Sequence, residues 1–346
     1  MRVAVVGGSG NVGTALMRAL LVAPEVTSVL GISRRVPTGE PYASADWASF
    51  DISRPAASDA DEQGLIEELA QHLEGVDAVV HLAWLIQPNR DRDLLRRTNV
   101  DGTDRVVRAS ALAGVRQIVV ASSVGAYSPV HDDAPRREDH ATGGVPTSHY
   151  SVDKAAQERV LDLFEAEHPE IRVARMRPGL IFQSDAGAEI HRYFLGPLVP
   201  RALLKPGLLP VMPWPRGFRL QAVHADDMAQ AYLLAVLKRA SGAFNIAADD
   251  VLWGEDVAKV AAGGGPLVQM PPGLVRTLLA LAYSAHLVPV DPGWLDMGAG
   301  APLMDTSRAK EVLGWRPTHT AAGSMASLMA GIAGGKGTAS APMRPA

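Results

Sequence analysis

Tyr150 and Lys154 stand four residues apart in Tyr150-Ser-Val-Asp-Lys154-Ala-Ala-Gln-Glu-Arg-Val, a stretch of helical character. On a helix, side chains at i and i+4 lie one above the other. A protonated lysine beside a phenol favours the phenolate, so the spacing predicts a tyrosine that exchanges protons nearer neutral pH. Such a pair does chemistry only with a cofactor site and a partner hydroxyl at the right places upstream. The chain supplies candidates for both: glycines at 7, 10 and 13, and the serines at 122 and 123 that close an apolar run.

The glycine segment is Val5-Val-Gly7-Gly-Ser-Gly10-Asn-Val-Gly13, set between a first strand and a first helix. A dinucleotide needs a tight turn there, close backbone approach to its pyrophosphate and a helix N-terminus that favours anions. Gly7, Gly10 and Gly13, with the helix-opening Asn11 and Val12, are therefore cofactor candidates. The same spacing recurs at Gly331, Gly334 and Gly337, with no strand before and no helix after, and is read as part of a tail. Cofactor type is decided at the end of the second strand, where an acid would hold a ribose hydroxyl and arginine a 2′-phosphate. Here the strand ends Ser33-Arg34-Arg35, so NADP is expected, with NAD possible.

The elements that must position these groups alternate. Strands are expected at Val3–Val6, Val26–Ser33, Trp47–Ile52, Ala78–Ala83, Gln117–Ser122 and Val173–Arg177. Helices are expected at Val12–Leu21, Glu62–Leu73, Leu94–Ala113 and Tyr150–Glu167. Near-continuous apolar strands suit a parallel sheet covered on both faces, which makes the expected fold α/β, a doubly wound Rossmann sheet over residues 1–182. Two later pieces, Leu220–Ala225 and Gly242–Ala247, look like returns to the sheet layer, with a helix Asp226–Lys238 between them. Residues 183–219 and 248–330 then form a smaller, discontinuous C-terminal substrate lobe. It includes an apolar stretch from Leu195 to Pro215 broken by six prolines. Residues 334–346, rich in Gly, Ala, Ser and Pro, are expected to be a disordered tail.

Composition removes several classes. There are no cysteines among the 346 residues, which excludes disulfides and thiolate chemistry, and the ten histidines show no ligand spacing, so no metal site is expected. A net charge of -4 gives no reason to expect nucleic acid or an anionic membrane. The apolar Gly273–Val290 stretch carries Arg276 and His286 and is read as a core helix rather than a span. The chain opens directly on a strand, so a cytoplasmic protein without a signal peptide is expected.

With these motifs in order, the chain resembles an extended short-chain dehydrogenase/reductase of the NAD-dependent epimerase/dehydratase superfamily, over nearly everything up to Arg316. Gly7-x-x-Gly10-x-x-Gly13 matches the nucleotide loop, and Asp51-Ile52 resembles the adenine-contacting pair. His81-Leu82-Ala83-Trp84 resembles the HLAA segment beside the cofactor, with Trp84 replacing a small residue. Asn99-Val-Asp-Gly-Thr103 matches NVxGT, and Ala121-Ser122-Ser123-Val-Gly-Ala-Tyr127 resembles SSxxVYG. Tyr150-x-x-x-Lys154 matches YxxxK, and Arg177-Pro178-Gly179-Leu180-Ile-Phe182 resembles the RPxxVYG strand end that lines the nicotinamide. Val223-His-Ala-Asp226-Asp227, Phe244-Asn245-Ile246 and Asp305-Thr-Ser-Arg…Leu313-Gly-Trp315-Arg-Pro317 resemble VHVDD, YNI and DTSKAxxxLGWxP. Several of these have plainer readings as well: His81 as a core histidine, Asp226 as a helix cap, Trp315 as packing.

The resemblance implies a catalytic set of Ser123, Tyr150 and Lys154, with Asn99 as support. Tyr150 would exchange a proton with a substrate hydroxyl or carbonyl. Lys154 would lower its pKa and hold the nicotinamide ribose, and Ser123 would fix the same oxygen. Ser122 is placed beside the cofactor, as are Leu82, Ala83, Pro178, Gly179 and Leu180. Val124 and Gly125 follow Ser123 where dehydratases usually carry an acid, which argues against dehydration. The segment Met212-Pro-Trp-Pro-Arg-Gly-Phe-Arg219 replaces the polar loop typical of sugar-nucleotide members, so an apolar or mixed carbonyl fits at least as well as a nucleotide sugar. Net carbonyl reduction is favoured over nucleotide-sugar epimerisation. A nonenzymatic NADP-binding redox sensor is the competing class. No G-x-S-x-G elbow supports a hydrolase. A homodimer through the Leu94–Ala113 and Tyr150–Glu167 helices is what the family leads one to expect.

Overall fold

Apolar, β-branched runs bounded by turns make the central sheet of this computed structural model, which describes residues 1–86, 90–195 and 211–346. The chain runs β1 (Arg2–Val6), α1 (Asn11–Val22), β2 (Ser28–Ser33), β3 (Asp46–Ser49), α2 (Asp59–His72), β4 (Ala78–His81), α3 (Arg92–Arg96), α4 (Gly102–Leu112) and β5 (Gln117–Ala121). There follow α5 (His149–Glu167), β6 (Arg172–Pro178), β7 (Leu180–Phe182), α6 (Gly187–Ile190), β8 (Met212–Pro215), β9 (Leu220–His224), α7 (Ala225–Leu237) and β10 (Gly242–Ile246). The chain closes with β11 (Val251–Leu252), α8 (Gly254–Ala261), β12 (Leu267–Met270), α9 (Pro272–Ser284), α10 (Pro292–Gly300) and α11 (Ala321–Ala333).

Seven strands form one parallel sheet in the order β10-β6-β5-β4-β1-β2-β3. Strand order reverses between β1 and β4, which opens a crevice at their carboxyl ends, where open α/β sheets bind ligands. Alternation along each strand builds two cores. Val3, Val5 and Val119 face a layer containing Leu16, Met228 and Tyr232 of α1 and α7. Ala4, Val6, Ile118 and Val120 face Leu69, Val106 and Leu161 of α2, α4 and α5. Burial on both faces is why these strands read as unbroken apolar runs.

Several expectations are corrected. Gly242–Ile246 joins the main sheet beside β6, but Leu220–His224 does not: it pairs with β7 and β11 in a separate three-stranded sheet. The helix expected across Leu94–Ala113 is interrupted by a wider π-type turn at Arg97–Asp101, which carries Asn99. The stretch expected to be a core helix is α9, which buries none of its residues and exposes Leu274, Leu278 and Leu281. Among the described residues no helix is long and apolar enough to cross a membrane. Pro197, Pro200, Pro206 and Pro210 of the proline-rich stretch lie outside the described residues.

The tail is also ordered. Met343 is fully buried among Ala186, Leu328 and Ile332. Arg192 donates to the carbonyls of Pro342 and Arg344, and Tyr42 links Thr338 to Thr14 of α1 through its hydroxyl. The second glycine series serves this packing: a Cβ at Gly331 would lie 2.0 Å from the Ser184 carbonyl oxygen, and one at Gly337 would lie 2.1 Å from that of Met343. Asp226 occupies the first turn of α7 rather than the cap, because His224 accepts the Asp226 N–H through Nδ1. Trp315 is buried and donates to the Asp227 carbonyl, so it packs.

Candidate active site

The three glycines of the loop are not equivalent. Gly7 has φ +90°, and a Cβ there would sit 2.6 Å from the Ala83 amide nitrogen. At Gly13 it would sit 2.4 Å from the Gly7 carbonyl oxygen. Both positions are therefore fixed by packing, Gly7 against the segment after β4 and Gly13 against the loop itself. Gly10 has no such constraint: its φ is -86° and the nearest atom to a Cβ would be 3.6 Å away. The missing side chain at Gly10 leaves an open cradle at the start of α1, where the first amides have no partner within the helix. Gly10 caps α1 without a side-chain hydrogen bond. Asn11 is held by Gln183, whose Nε2 donates to the Asn11 Oδ1 at 2.5 Å, and it reaches the Ile181 carbonyl at 3.4 Å.

At the end of β2, Arg34 and Arg35 are exposed, and neither guanidinium has an ion pair or hydrogen-bond acceptor among the described residues. The end of β2 adjoins the glycine loop, where the Gly7 N–H donates to the Ile32 carbonyl, so two exposed cations there are suited to an anion. Asp51 accepts from the Ser53 amide and hydroxyl through one oxygen, while Ile52 is buried and its carbonyl accepts from Arg105.

Ser122 and Ser123 follow β5, and Tyr150 and Lys154 lie on the first turns of α5. Ser148 caps that helix by accepting the Ser151 N–H. Ser123 accepts the Gly125 N–H at 3.0 Å, and the Tyr150 ring packs on that turn, with its Cε1 3.0 Å from where a Cβ at Gly125 would stand. The structure thus brings this serine and tyrosine together. Burial pushes the phenol up to about 12, opposed by the neighbouring Ser123 hydroxyl. This corrects the expectation that Lys154 lowers it. The Lys154 ammonium donates instead to the Ala121 carbonyl at 2.6 Å and to Gln157 Oε1 at 3.1 Å, and Trp84 covers it with its ring centroid 3.4 Å from Nζ. Burial holds the Lys154 pKa well below its usual value, against the pull of Glu158 and Asp153.

Gln157 is itself locked in place. Thr103 donates its hydroxyl proton to the Asn99 carbonyl at 2.7 Å, so it can only accept from Gln157 Nε2 at 3.1 Å. It also meets His81 Nε2 at 3.0 Å, which must then carry the proton. Gln157 Oε1 is left to face Lys154. His81 is a core histidine, as its plainer reading held, and burial lowers its pKa to about 3, with Lys154 adding to the effect.

Two candidates are engaged elsewhere. Ser122 donates its hydroxyl to Glu158 at 2.5 Å instead of facing the crevice. Asn99 accepts from the Leu85 N–H at 2.8 Å and donates to the Leu85 carbonyl at 3.2 Å, so it pins the segment that presents Trp84. Leu82 extends the β4 pairing by donating to the Val6 carbonyl. Pro178 ends β6; Gly179 is required by β9, because a Cβ would lie 2.4 Å from the Gln221 carbonyl oxygen; Leu180 is exposed. Beneath this edge, buried Glu158 binds Arg175 and Arg177. Its burial would raise the carboxyl, but the Arg177 hydrogen bonds and charge, with Ser122 and Arg175, outweigh that and hold it at about 2.

The sequence reading missed α10. Its Trp294 ring lies 5.0 Å from that of Tyr150, and Met297 Sδ would be 2.9 Å from a Cβ at Gly125. The signal was available in Asp291-Pro292, an N-cap followed by proline at the first helical position. Clefts of about 600 and 440 Å³ lie elsewhere, the first lined by Arg18, Val29 and Glu40 and the second by Arg54, Arg97 and Asp104.

Comparison with known proteins agrees with this architecture. The model of the NAD dependent epimerase/dehydratase family matches residues 3–247. An uncharacterised protein of Mycobacterium tuberculosis is 27% identical over 351 residues, covering 99% of this chain. The chain spans about a third (32%) of that relative's length. Among solved structures, MoeE5 in complex with UDP-glucose and NAD is 21% identical with a TM-score of 0.68, covering 96% of this chain and 98% of that one. The UDP-glucose 4-epimerase of Thermotoga maritima, solved with UDP-glucose, is 18% identical with a TM-score of 0.69, covering 95% of this chain and 98% of that one. At these identities the structures share the fold.

Proposed function

The chain belongs to the NAD-dependent epimerase/dehydratase family, and on that premise we propose that it is an NADP-dependent carbonyl reductase working through Ser123, Tyr150 and Lys154. The observation that carries this reading is the packing of the Tyr150 ring against the Ser123–Gly125 turn at the carboxyl end of β5, on the same sheet edge as the glycine loop. The open cradle at Gly10 and the exposed guanidinium groups of Arg34 and Arg35 fit a dinucleotide carrying a 2′-phosphate.

When bound, the nicotinamide supplies the hydride. Tyr150 protonates the substrate oxygen, and a phenol held near 12 keeps its proton at neutral pH, which suits an acid in the reducing direction. Ser123 fixes that oxygen beside the phenol. Lys154, one turn along α5, is held by Ala121 and Gln157 and is placed to meet the cofactor rather than the phenol. Trp84 must leave the ammonium before Lys154 can meet a ribose hydroxyl. Nucleotide-sugar epimerisation is the second reading, favoured by the names of the solved relatives. We also propose a cytoplasmic homodimer through the outer faces of α4 and α5, which expose Leu112, Val152 and Leu163.

Calorimetric titration with NADP and NAD, repeated on Arg34→Ala/Arg35→Ala, tests the cofactor. NADP binds more tightly, and the double change reduces its affinity about tenfold or more. Tighter NAD binding that ignores the arginines contradicts the assignment. NADPH consumption with a panel of carbonyl compounds tests the activity, and tight binding without turnover would favour the redox sensor.

A further inference from the structure

Tyr150 is surrounded by rings that come from three separate parts of the chain. Trp84 meets it edge-on at 5.8 Å and Trp294 lies tilted at 5.0 Å, while Phe194 stands edge-on to Trp294 at 5.3 Å. Trp294 is fastened in place. Asp291, at the N-terminus of α10, pairs with His149 at 3.1 Å and Arg92 at 3.2 Å, and Gly293 presses so closely on α5 that a Cβ would lie 2.3 Å from the Thr147 carbonyl oxygen. Among the described residues, the indole N–H groups of both Trp84 and Trp294 are buried without an acceptor. Indole nitrogen is a donor only, and buried donors in folded proteins nearly always find partners. Two orphaned donors beside one catalytic phenol therefore mark a place where another molecule supplies the acceptors.

We propose that Trp84 and Trp294 set the substrate class: a planar, ring-bearing carbonyl compound that slides between these rings and carries hydrogen-bond acceptors at its edge. This rests on the hydride-transfer reading above. A substrate reaching Tyr150 must part rings that already contact one another. A planar aromatic body replaces each lost ring contact with an equivalent one, in the offset or edge-on geometry such pairs prefer. A hexose can lay its axial C–H face on an indole, but its rim of hydroxyls needs donors and acceptors in number, whereas the unpartnered groups beside Tyr150 among the described residues are two donors. Met297, close to Gly125 and the Tyr150 ring, completes an apolar floor.

The test compares reduction of 2-naphthaldehyde and cyclohexanecarbaldehyde by the full chain with NADPH, in wild type, Trp294→Ala and Trp294→Phe. The ratio of kcat/KM for the aromatic over the aliphatic aldehyde should fall about tenfold in Trp294→Ala, through KM, and stay within about threefold in Trp294→Phe. A ratio that Trp294→Ala leaves unmoved overturns the proposal. Calorimetric titration with 2-naphthamide, which cannot be reduced, separates it from the hydride-transfer reading. If neither aldehyde turns over but the amide binds wild type and not Trp294→Ala, the ring proposal stands and the reductase reading fails. If the amide binds neither protein, or both alike, the ring proposal fails whatever the turnover.

Discussion

The two ends of the crevice are built in opposite ways. At the glycine loop the polar groups are open: Gly10 leaves room for close approach to the backbone, and Arg34 and Arg35 have no partner among the described residues. At the Tyr150 end the polar groups are engaged or covered. Lys154 is bound by Ala121 and Gln157 under Trp84, Asn99 is bound to Leu85, Ser122 to Glu158, and Tyr150 lies under Trp294. The loop end is shaped in advance for an anionic ligand, whereas the Tyr150 end must rearrange its rings to admit one. On the proposed reading, affinity for the cofactor is set mainly at the first end, and selection among substrates at the second.

The largest expected effect separates chemistry from binding. Tyr150→Phe should lower turnover by about 10³-fold while cofactor affinity, measured by calorimetry, changes little. Because burial holds the phenol at about 12, the wild-type reductive rate should be flat between about pH 6 and 9. A reductive rate that falls as pH rises through neutrality would mean that Lys154 reaches the phenol after all.

The next effect lies beneath the Tyr150 end. Glu158→Gln leaves Arg175 and Arg177 short of their buried partner and should cost about 3–5 kcal/mol in urea unfolding. The carboxyl is depressed from 4.5 to about 2, so its contribution is fully present above pH 4.5 and is lost as pH falls through 2. Wild-type stability should therefore drop over that window, with a shallower drop in the variant. Matching slopes would show that Glu158 carries no such load.

A paired glycine experiment tests the loop end. Gly13→Ala should destabilise by about 1–3 kcal/mol, since its Cβ has no room. Gly10→Ala should leave stability within about 0.5 kcal/mol yet weaken cofactor binding about tenfold. Equal losses of stability at both positions would remove the case for Gly10 as the ligand's cradle. A loss of stability like that of Gly13→Ala, but without any effect on binding, is expected at Thr103→Val. It unpairs buried His81 and Gln157, and should cost about 1–3 kcal/mol with cofactor affinity unchanged.

How much of this was legible follows from where each signal lies. The sheet was readable because strands buried on both faces must be apolar throughout, and the loop and YxxxK pair because their spacing is local. The orientation of Lys154 was not, because Ala121, Gln157 and Trp84 meet it only in the folded chain. The motif separated Ser123 from Ser122, but that Ser122 turns away from the crevice was not legible, because its acceptor Glu158 lies 36 residues further on. The tail looked disordered by composition, but a single buried Met343 and the carbonyl contacts of Arg192 hold it. α10 was overlooked because Pro292-Gly-Trp-Leu-Asp-Met-Gly-Ala-Gly300 has poor helix propensity, outweighed by its cap and its seat on α5. α9 failed in the other direction: leucines spaced like a core helix lie on the surface.

The central claim, hydride transfer at a carbonyl carbon under Tyr150, is tested most directly with NADPH deuterated at nicotinamide C4. The account predicts that wild type delivers the label to the carbonyl carbon of 2-naphthaldehyde and that Tyr150→Phe, with cofactor still bound, delivers almost none. Bound cofactor with no label transferred by wild type, or equal transfer by both proteins, would contradict it.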